Sequence, residues 1–195
     1  MSRRKRPFFD HFGLVAPLYD WIMKPPDPTH LRSLIGLEAR DRFLDVGGGT
    51  GRIAQHLQDR AEQAWILDLS AGMLKQAADK GGLIPCRGAA EALPFPDAAF
   101  TKIAAVDSFH HFTDHARAAT ELVRVLAPGG RLVVEEPDIR IFAVKLVALG
   151  ERLALMRSRF RPPKELEALF SLRGVRTYLV ERSPNYWLIV EKPAG

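Results

Sequence analysis

The sequence has 195 residues, of which 47% are hydrophobic and 26% charged, and its formal net charge is +5. A chain of this length can bury a substantial core, so we expect one domain spanning residues 1–195. Its one cysteine, Cys86, excludes an internal disulfide and predicts a reducing, cytoplasmic setting. The most apolar stretch, Ile141–Leu149, contains Lys145 and is too short to cross a bilayer.

The N-terminal region, residues 1–38, combines a basic tail with an aromatic arm. The basic run at residues 3–6 nearly accounts for the excess positive charge, and such a run is usually a solvated tail. Nucleic acid, which we disfavour, and an anionic membrane surface are the alternative partners. Prolines divide the rest of the arm into short predicted helices, and Phe8–Trp21 is too apolar to stay free. The helical arm is therefore expected to pack on the domain or on a ligand.

Strands and helices alternate through residues 40–136. The predicted strands are Arg42–Val46, Ala64–Asp68, Leu83–Cys86, Thr101–Val106 and Arg131–Glu135. The predicted helices begin at Arg52, after a cap by Ser70, and after a cap by Thr113 or Asp114. In the first of these helices Ile53, Ala54, Leu57 and Ala61 fall on one face. This alternation is typical of a parallel sheet covered by helices on both faces.

The C-terminal part of the chain has a different pattern. Two helices, Ile141–Phe160 and Pro162–Leu172, are predicted within a helical cover over residues 141–173. Residues 175–191 then form two strands, Val175–Val180 and Tyr186–Val190, with a link so short that they must pair as an antiparallel hairpin. We therefore predict a single α/β domain with a doubly wound, Rossmann-like sheet of seven strands, mostly parallel and finished by an antiparallel hairpin.

The turn after the first strand carries four glycines in the five residues Gly47–Gly51. A strand, a glycine turn and a helix together bring bare backbone against a ligand, so we expect a nucleotide-like ligand here. In an open α/β sheet ligands sit beyond the carboxyl ends of the strands. Asp68 ends the second strand, 17 positions after Gly51, where a carboxylate can accept hydrogen bonds from a ribose.

Two cofactors fit this turn. Gly49–Ala54 matches the dinucleotide fingerprint, which favours NAD. Asp45 counts against NAD, because a carboxylate two residues before the first glycine would lie near the pyrophosphate. A cationic ligand with an amino group or a sulfonium suits Asp45 better, and the final hairpin also departs from the dinucleotide-binding fold. S-adenosylmethionine is therefore the predicted cofactor.

Four segments in the same order resemble the motifs of class I S-adenosylmethionine-dependent methyltransferases. They are Asp45–Gly51, Leu67–Leu74, Gly88–Asp97 and Val125–Val134. The arm segment Phe9–Asp20 is similar to the start of the ubiquinone/menaquinone C-methyltransferase-like group. The resemblance covers residues 40–136 strongly, and makes this region the expected cofactor-binding core.

The resemblance implies a set of cofactor contacts. Gly47, Gly48 and Gly49 would lie against the methionine part, Asp68 would bind the ribose, and Leu69 and Met73 would flank the adenine. The backbone at Ala90 and Glu91 would meet the adenine edge, Asp107 would lie next to the methyl group, and Tyr19 would close over the cofactor. Ala89 stands where many family members have an Asp or Asn that accepts from the adenine, so a neighbour such as Glu91 would have to replace that contact.

Methyl transfer from a sulfonium is an in-line displacement, and an enzyme contributes most by holding the acceptor in line with the methyl group. S-adenosylhomocysteine would be the product. His110 is the candidate general base if the acceptor must lose a proton, although such a histidine can equally orient the loop. Metal binding by His110, His111, Asp114 and His115 is disfavoured, because adjacent histidines cannot easily converge on one ion.

We expect a small, apolar or aromatic acceptor, since the arm is aromatic and Ile141–Phe160 could cover the pocket with apolar side chains. Arginines near that helix could face an anionic head group or a membrane surface, which leaves peripheral membrane contact open. Three alternatives remain: a cofactor-binding domain without catalysis, an RNA methyltransferase suggested by residues 3–6, and an NAD-dependent oxidoreductase.

Overall fold

The structure is a computed structural model that describes residues 28–153, 158–171 and 174–195. Seven strands form one sheet in the order β3-β2-β1-β4-β5-β7-β6. The strands are β1 (Arg42–Val46), β2 (Gln63–Asp68), β3 (Ile84–Arg87), β4 (Phe100–Val106), β5 (Leu126–Pro137), β6 (Arg176–Arg182) and β7 (Asn185–Glu191). The first five run parallel, and β7 lies antiparallel between β5 and β6. The predicted doubly wound sheet with its antiparallel hairpin is confirmed.

The described residues form five α-helices, four of which pack on the faces of this sheet. They are α1 (Pro28–Ile35), α2 (Ala71–Asp79), α3 (His115–Val125), α4 (Phe142–Leu153) and α5 (Pro163–Ser171). Helices α1 and α2 bury their apolar faces in one core, and α3 and α5 bury theirs in a second core. The predicted caps are present, because the side chains of Ser70 and Asp114 accept the backbone N–H groups of Met73 and Arg117.

The helix predicted from Arg52 is wrong. The chain forms two short 3-10 segments there, Ala54–His56 and Gln58–Arg60. Ala54 and Leu57 are fully buried, and their three-residue spacing suits the 3-10 repeat as well as the α-helical one. The apolar pattern therefore identified the buried side of the segment correctly but not its helix type.

The helix predicted for Ile141–Phe160 is also too long. Helix α4 is described from Phe142 to Leu153, and residues 158–160 have no regular secondary structure, so the helix does not reach Phe160. Side chains of α4 that were expected to cover a pocket are exposed instead, Phe142 by 74% and Leu149 by 53%. No helix within the described ranges is both long and apolar enough to span a membrane.

Candidate functional site

The candidate site lies at the carboxyl edge of the sheet, between β1 and β4, where the strand order reverses. The described residues form a pocket there with eight lining residues: Asp45, Gly47, Gly48, Gly49, Arg52, Ile53, Val106 and Asp107. Five of these eight belong to the site predicted from the sequence. The loops after β1 and β4 therefore meet at the expected place.

The glycine turn is fastened to the end of β2 by its own amides. The N–H groups of Gly47 and Gly48 donate to the carbonyl of Leu67 at 2.7 and 3.3 Å. The N–H of Gly49 donates to Oδ2 of Asp68 at 3.0 Å. Because three successive amides have acceptors inside the protein, the turn does not present them as a cradle for a pyrophosphate.

Asp45 lies directly beneath this turn. A Cβ placed on Gly48 would come within 2.6 Å of Oδ2 of Asp45, so only glycine fits above the carboxylate. Asp45 is 1% exposed, and neither carboxylate oxygen has a hydrogen-bond partner in the structure. Burial raises the pKa of Asp45 to about 7, Arg52 opposes this shift, and Asp68 adds to it. A buried carboxylate without a donor is a site for a cationic or hydrogen-bonding ligand group.

Asp68 connects the glycine turn to the start of α2. Its Oδ2 accepts from Gly49, and its Oδ1 accepts from the N–H of Ser70 at 2.8 Å. These two bonds fix the orientation of the carboxylate between the turn and the helix. The side chain is half-buried, and therefore it combines a fixed position with access to solvent.

Asp107 follows β4 and has a φ of +51°, the left-handed region that Asp tolerates better than most residues. Its N–H donates to the carbonyl of Glu135 at 2.9 Å, which holds the loop against β5. Its Oδ2 lies 3.3 Å from Nη2 of Arg52, whose side chain is only 10% exposed. Arg52 was missed by the sequence analysis, although its position directly after the last glycine was a usable signal.

The residues predicted near the adenine lie along one side of this edge. Leu69 is 42% exposed, whereas Met73 is buried and its Sδ is 4.0 Å from where a Cβ on Gly49 would lie. Ala90 is buried. The Glu91 carboxylate accepts from the N–H groups of Thr113 and Asp114, at 2.6 and 3.2 Å. Glu91 therefore holds the two residues that precede α3, and this contact competes with its suggested use as a replacement adenine acceptor.

His110 is packed between β5 and the segment that precedes α5. Its Nδ1 lies 2.7 Å from Oε2 of Glu136, and its ring stacks on Phe160 at a centroid distance of 4.1 Å. The other oxygen of Glu136 accepts from the N–H of Phe109 at 2.8 Å. His110 is 2% exposed and is not among the residues that line the pocket. These contacts are those of a residue that fixes the loop, and its action as a base stays a prediction.

The remaining predictions concern Tyr19, the basic residues 3–6 and a metal site. Tyr19 and residues 3–6 are outside the described residues. Among the residues that the structure does describe, no group of three or more His, Cys, Asp or Glu side chains could hold a metal ion. His111 is instead a half-buried residue whose Nδ1 is 3.1 Å from Oγ of Ser158, and burial, with His110 nearby, lowers its pKa to about 3.

Residues 44–134 match a family model described as a methyltransferase domain. The chain is similar to a demethylmenaquinone methyltransferase of Thermus thermophilus, with 38% identity over 64% of this chain and 63% of the relative. It is also similar to a ubiquinone/menaquinone biosynthesis C-methyltransferase of Bordetella avium, with 38% identity over 49% of this chain and 40% of the relative. The matched part thus spans less than two thirds of each relative.

Solved structures share the fold. A SAM-dependent methyltransferase from Thermotoga maritima superposes with a TM-score of 0.75 and 21% identity, covering 93% of this chain and 98% of that chain. Geranyl diphosphate C-methyltransferase from Streptomyces coelicolor, solved with S-adenosylhomocysteine, gives a TM-score of 0.73 at 14% identity, covering 85% and 76%.

Residues 44–134 are thus similar to a methyltransferase domain, and the sheet has the Rossmann-like fold of the methyltransferase structures it superposes on. The sequence is similar to the ubiquinone/menaquinone C-methyltransferases.

Proposed function

We propose that the protein is an S-adenosylmethionine-dependent methyltransferase acting on a small, quinone-type aromatic acceptor. One observation carries the cofactor assignment: Asp45 is a fully buried carboxylate without a donor, placed beneath the glycine turn. A ligand amino group would supply the missing hydrogen-bond donors and the opposite charge. The names of the relatives support the acceptor class, because both act on quinones or their precursors by name.

The same residues disfavour a dinucleotide. The amides of Gly47, Gly48 and Gly49 already donate to Leu67 and Asp68, so they are poorly placed to hold a pyrophosphate. The lining side chains add two carboxylates, Asp45 and Asp107, against the single cation Arg52. A ligand with two phosphate charges would find no net positive side-chain charge in this pocket, because Asp107 offsets Arg52.

The proposed roles combine the positions of the pocket residues with the contacts that the motif resemblance implies. Asp45 would receive the ligand's amino group, Gly47–Gly49 would allow its close approach, and Asp68 would accept from the ribose hydroxyls. Leu69 and Met73 would flank the adenine, the backbone of Ala90 and Glu91 would meet its edge, and Asp107 would lie beside the reacting group. Tyr19 is proposed to close over the cofactor from the arm. When bound, S-adenosylmethionine supplies an electrophilic methyl group on a sulfonium.

The protein's own contribution is to position the acceptor and to control protons. Asp107 is held by Arg52 and by the Glu135 carbonyl, so its carboxylate keeps a fixed direction at the pocket. His110 remains the candidate base for an acceptor that must lose a proton. Since Nδ1 faces Glu136, Nε2 would have to take that proton.

Calorimetric titration with S-adenosylmethionine, S-adenosylhomocysteine and NAD tests the cofactor. We expect binding of both adenosyl ligands and none of NAD. The substitution Asp68→Ala should weaken adenosyl binding by about 1.5–3 kcal/mol, because it removes charge-assisted hydrogen bonds. Asp59→Ala is the matched control, since Asp59 is exposed on the second 3-10 segment. Binding of NAD alone would overturn the assignment.

Transfer of labelled methyl to a demethylated quinone acceptor tests the reaction. Turnover that requires S-adenosylmethionine and disappears in Asp107→Ala would support the enzyme. Cofactor binding without turnover on any acceptor in a cell extract would favour a domain that binds the cofactor without catalysis. Turnover on RNA instead of quinones would support the RNA methyltransferase alternative.

A further inference from the structure

Helix α4 exposes its apolar side chains instead of burying them. Phe142, Leu146 and Leu149 are 74%, 55% and 53% exposed, and their spacing places them on one face of the helix. Among the described side chains of this helix only Val144 is buried, at 6% exposure. A helix that exposes several large apolar side chains on one face marks an interaction surface.

Positive charge is concentrated in the segment that contains this helix. Residues 139–161 include six basic residues and one acidic residue, a net charge of +5, as large as that of the whole chain. Lys145 on α4 and Arg159 are exposed, whereas Arg140 and Arg161 contact carboxylates of the protein. An apolar helix face with cations beside it is the pattern of helices that lie in the interface of an anionic bilayer.

The location of α4 connects this surface to the candidate site. Helix α4 begins five residues after β5 ends, and β5 ends at the same edge of the sheet as β1 and β4. The connection is fixed, because the N–H of Asp138 donates to Pro184 and the N–H of Ile141 donates to Asp138. Helix α4 therefore starts from the edge of the sheet that carries the candidate site.

We propose that the exposed face of α4, defined by Phe142, Leu146 and Leu149, docks on an anionic lipid bilayer surface. The apolar side chains enter the interfacial region, and Lys145 and Arg159 contact anionic head groups. The role of this docking rests on the proposed function, because an apolar acceptor held in the membrane could then reach the edge of the sheet directly. The docking itself needs neither cofactor nor acceptor.

Vesicle co-sedimentation of the full chain tests the proposal, with vesicles of phosphatidylcholine alone or mixed with phosphatidylglycerol. We expect binding to the mixed vesicles that weakens with added salt. Leu146→Glu and Leu149→Glu should each lower the partition coefficient about tenfold or more, because one buried leucine is lost and an anion is gained. Lys145→Glu should weaken binding without changing the apolar face. Ile84→Glu is the matched control, since Ile84 is 38% exposed on β3 at the other end of the sheet.

The other outcomes each overturn the proposal. No binding to mixed vesicles would do so, as would binding that only neutralisation of residues 3–6 abolishes. A dimer in sedimentation velocity that Leu149→Glu dissociates would assign the face to a second copy. Calorimetry with S-adenosylmethionine on the parent chain and the same variants separates the two proposals. A variant that still binds the cofactor is folded. If the parent chain does not bind the cofactor, the proposed function fails, and vesicle binding stands as a separate result.

Discussion

Asp45 is an unusual residue to find without a partner. A carboxylate at 1% exposure normally has hydrogen-bond donors, because an unpaired buried charge is costly. The cost is reduced by protonation, which is what the rise of its pKa to about 7 expresses. Near neutral pH the site therefore exists in two protonation states, and a cationic ligand would select the ionised one.

The first prediction concerns the pH dependence of stability. Because burial raises the pKa of Asp45 from 3.8 to about 7, the folded state holds a proton that the unfolded state has lost between those values. The free energy of unfolding then falls as pH rises through this window, by at most about 1.4 kcal/mol per pH unit. His111, whose pKa is lowered from 6.5 to about 3, acts with the opposite sign up to its unfolded value.

Asp45→Asn isolates the first contribution, because asparagine does not titrate and His111 is unchanged. Relative to the parent chain, the variant should gain stability as pH rises from about 5 to about 8. Urea unfolding at a series of pH values measures this difference. A difference that is independent of pH would show that Asp45 is ionised throughout, and S-adenosylmethionine binding should then release no proton near neutral pH.

The second prediction concerns Gly48. A Cβ there would meet the Asp45 carboxylate at 2.6 Å and Cγ1 of Ile66 at 2.8 Å, so the methyl group added by Gly48→Ala is too close to both side chains. We expect a loss of about 1–3 kcal/mol in the free energy of unfolding and weaker cofactor binding. Gly150→Ala is the control, because nothing lies within 4 Å of its Cβ position in α4. That helical substitution should stabilise the protein by about 0.5–1 kcal/mol. Equal effects at both glycines would contradict the close packing of the turn on Asp45.

At the scale of elements, Arg124 connects α3 to the chain that precedes β4. Its guanidinium donates to the carbonyls of Leu93 and Phe95 at 3.0 and 2.8 Å and pairs with Glu121 and Asp97. The Glu121 carboxylate in turn accepts from the N–H of Leu93 at 2.8 Å. One side chain thus orders a segment without regular secondary structure.

The third prediction is that Arg124→Met destabilises the protein by about 2–3 kcal/mol, because carbonyls lose charge-assisted donors. Denaturant unfolding measures the change. Lys164→Met serves as the comparison, since Lys164 is 79% exposed in its ion pair with Glu167 and should contribute less than about 1 kcal/mol. If both variants lost the same small amount, Arg124 would be no more than a surface ion pair.

The sequence predicted those elements whose pattern and end signals are local. Strand β1 has the predicted bounds, and the caps at Ser70 and Asp114 formed because each side chain reaches an amide three residues away. The predicted α-helix after the glycine turn was wrong, since the spacing of Ala54 and Leu57 fits both an α-helix and a 3-10 helix. Helix α4 was predicted to reach Phe160 because an apolar pattern alone does not mark where a helix ends, whereas residues 158–160 have no regular secondary structure.

In the candidate site, too, local sequence features were predicted and contacts between distant residues were not. Gly47–Gly49 and Asp45 were found because glycine and a buried acid are informative in a strand-turn motif. The contacts of Glu91 with the loop before α3 and of Glu136 with His110 join residues 22 or more positions apart, so no local pattern shows them. Arg52 was overlooked because its importance depends on Asp107, which approaches it only in the folded sheet. The functional roles of these side chains stay predictions.

For the whole molecule, the strand order predicts how protection from hydrogen exchange is distributed. Strands β1 and β4 lie at the centre of the described sheet, and β3 and β6 form its two edges. We expect the amides of β1 to exchange only through global unfolding, and those of β6 to exchange through local opening as well. Exchange followed by mass spectrometry tests this, and equal protection of β1 and β6 would contradict it. The division of residues 1–195 into one domain stays a prediction, because residues 1–27 lie outside the described chain.

The position of β7 between β5 and β6 determines when this side of the sheet can form during synthesis. During translation, β5 and β6 emerge before Asn185–Glu191, yet in the described sheet they are joined only through that strand. Until those residues leave the ribosome, β5 has an open edge whose backbone groups can pair with other chains. The newly made protein is thus most vulnerable to aggregation just before β7 appears, and a ribosome that pauses there would prolong the exposure.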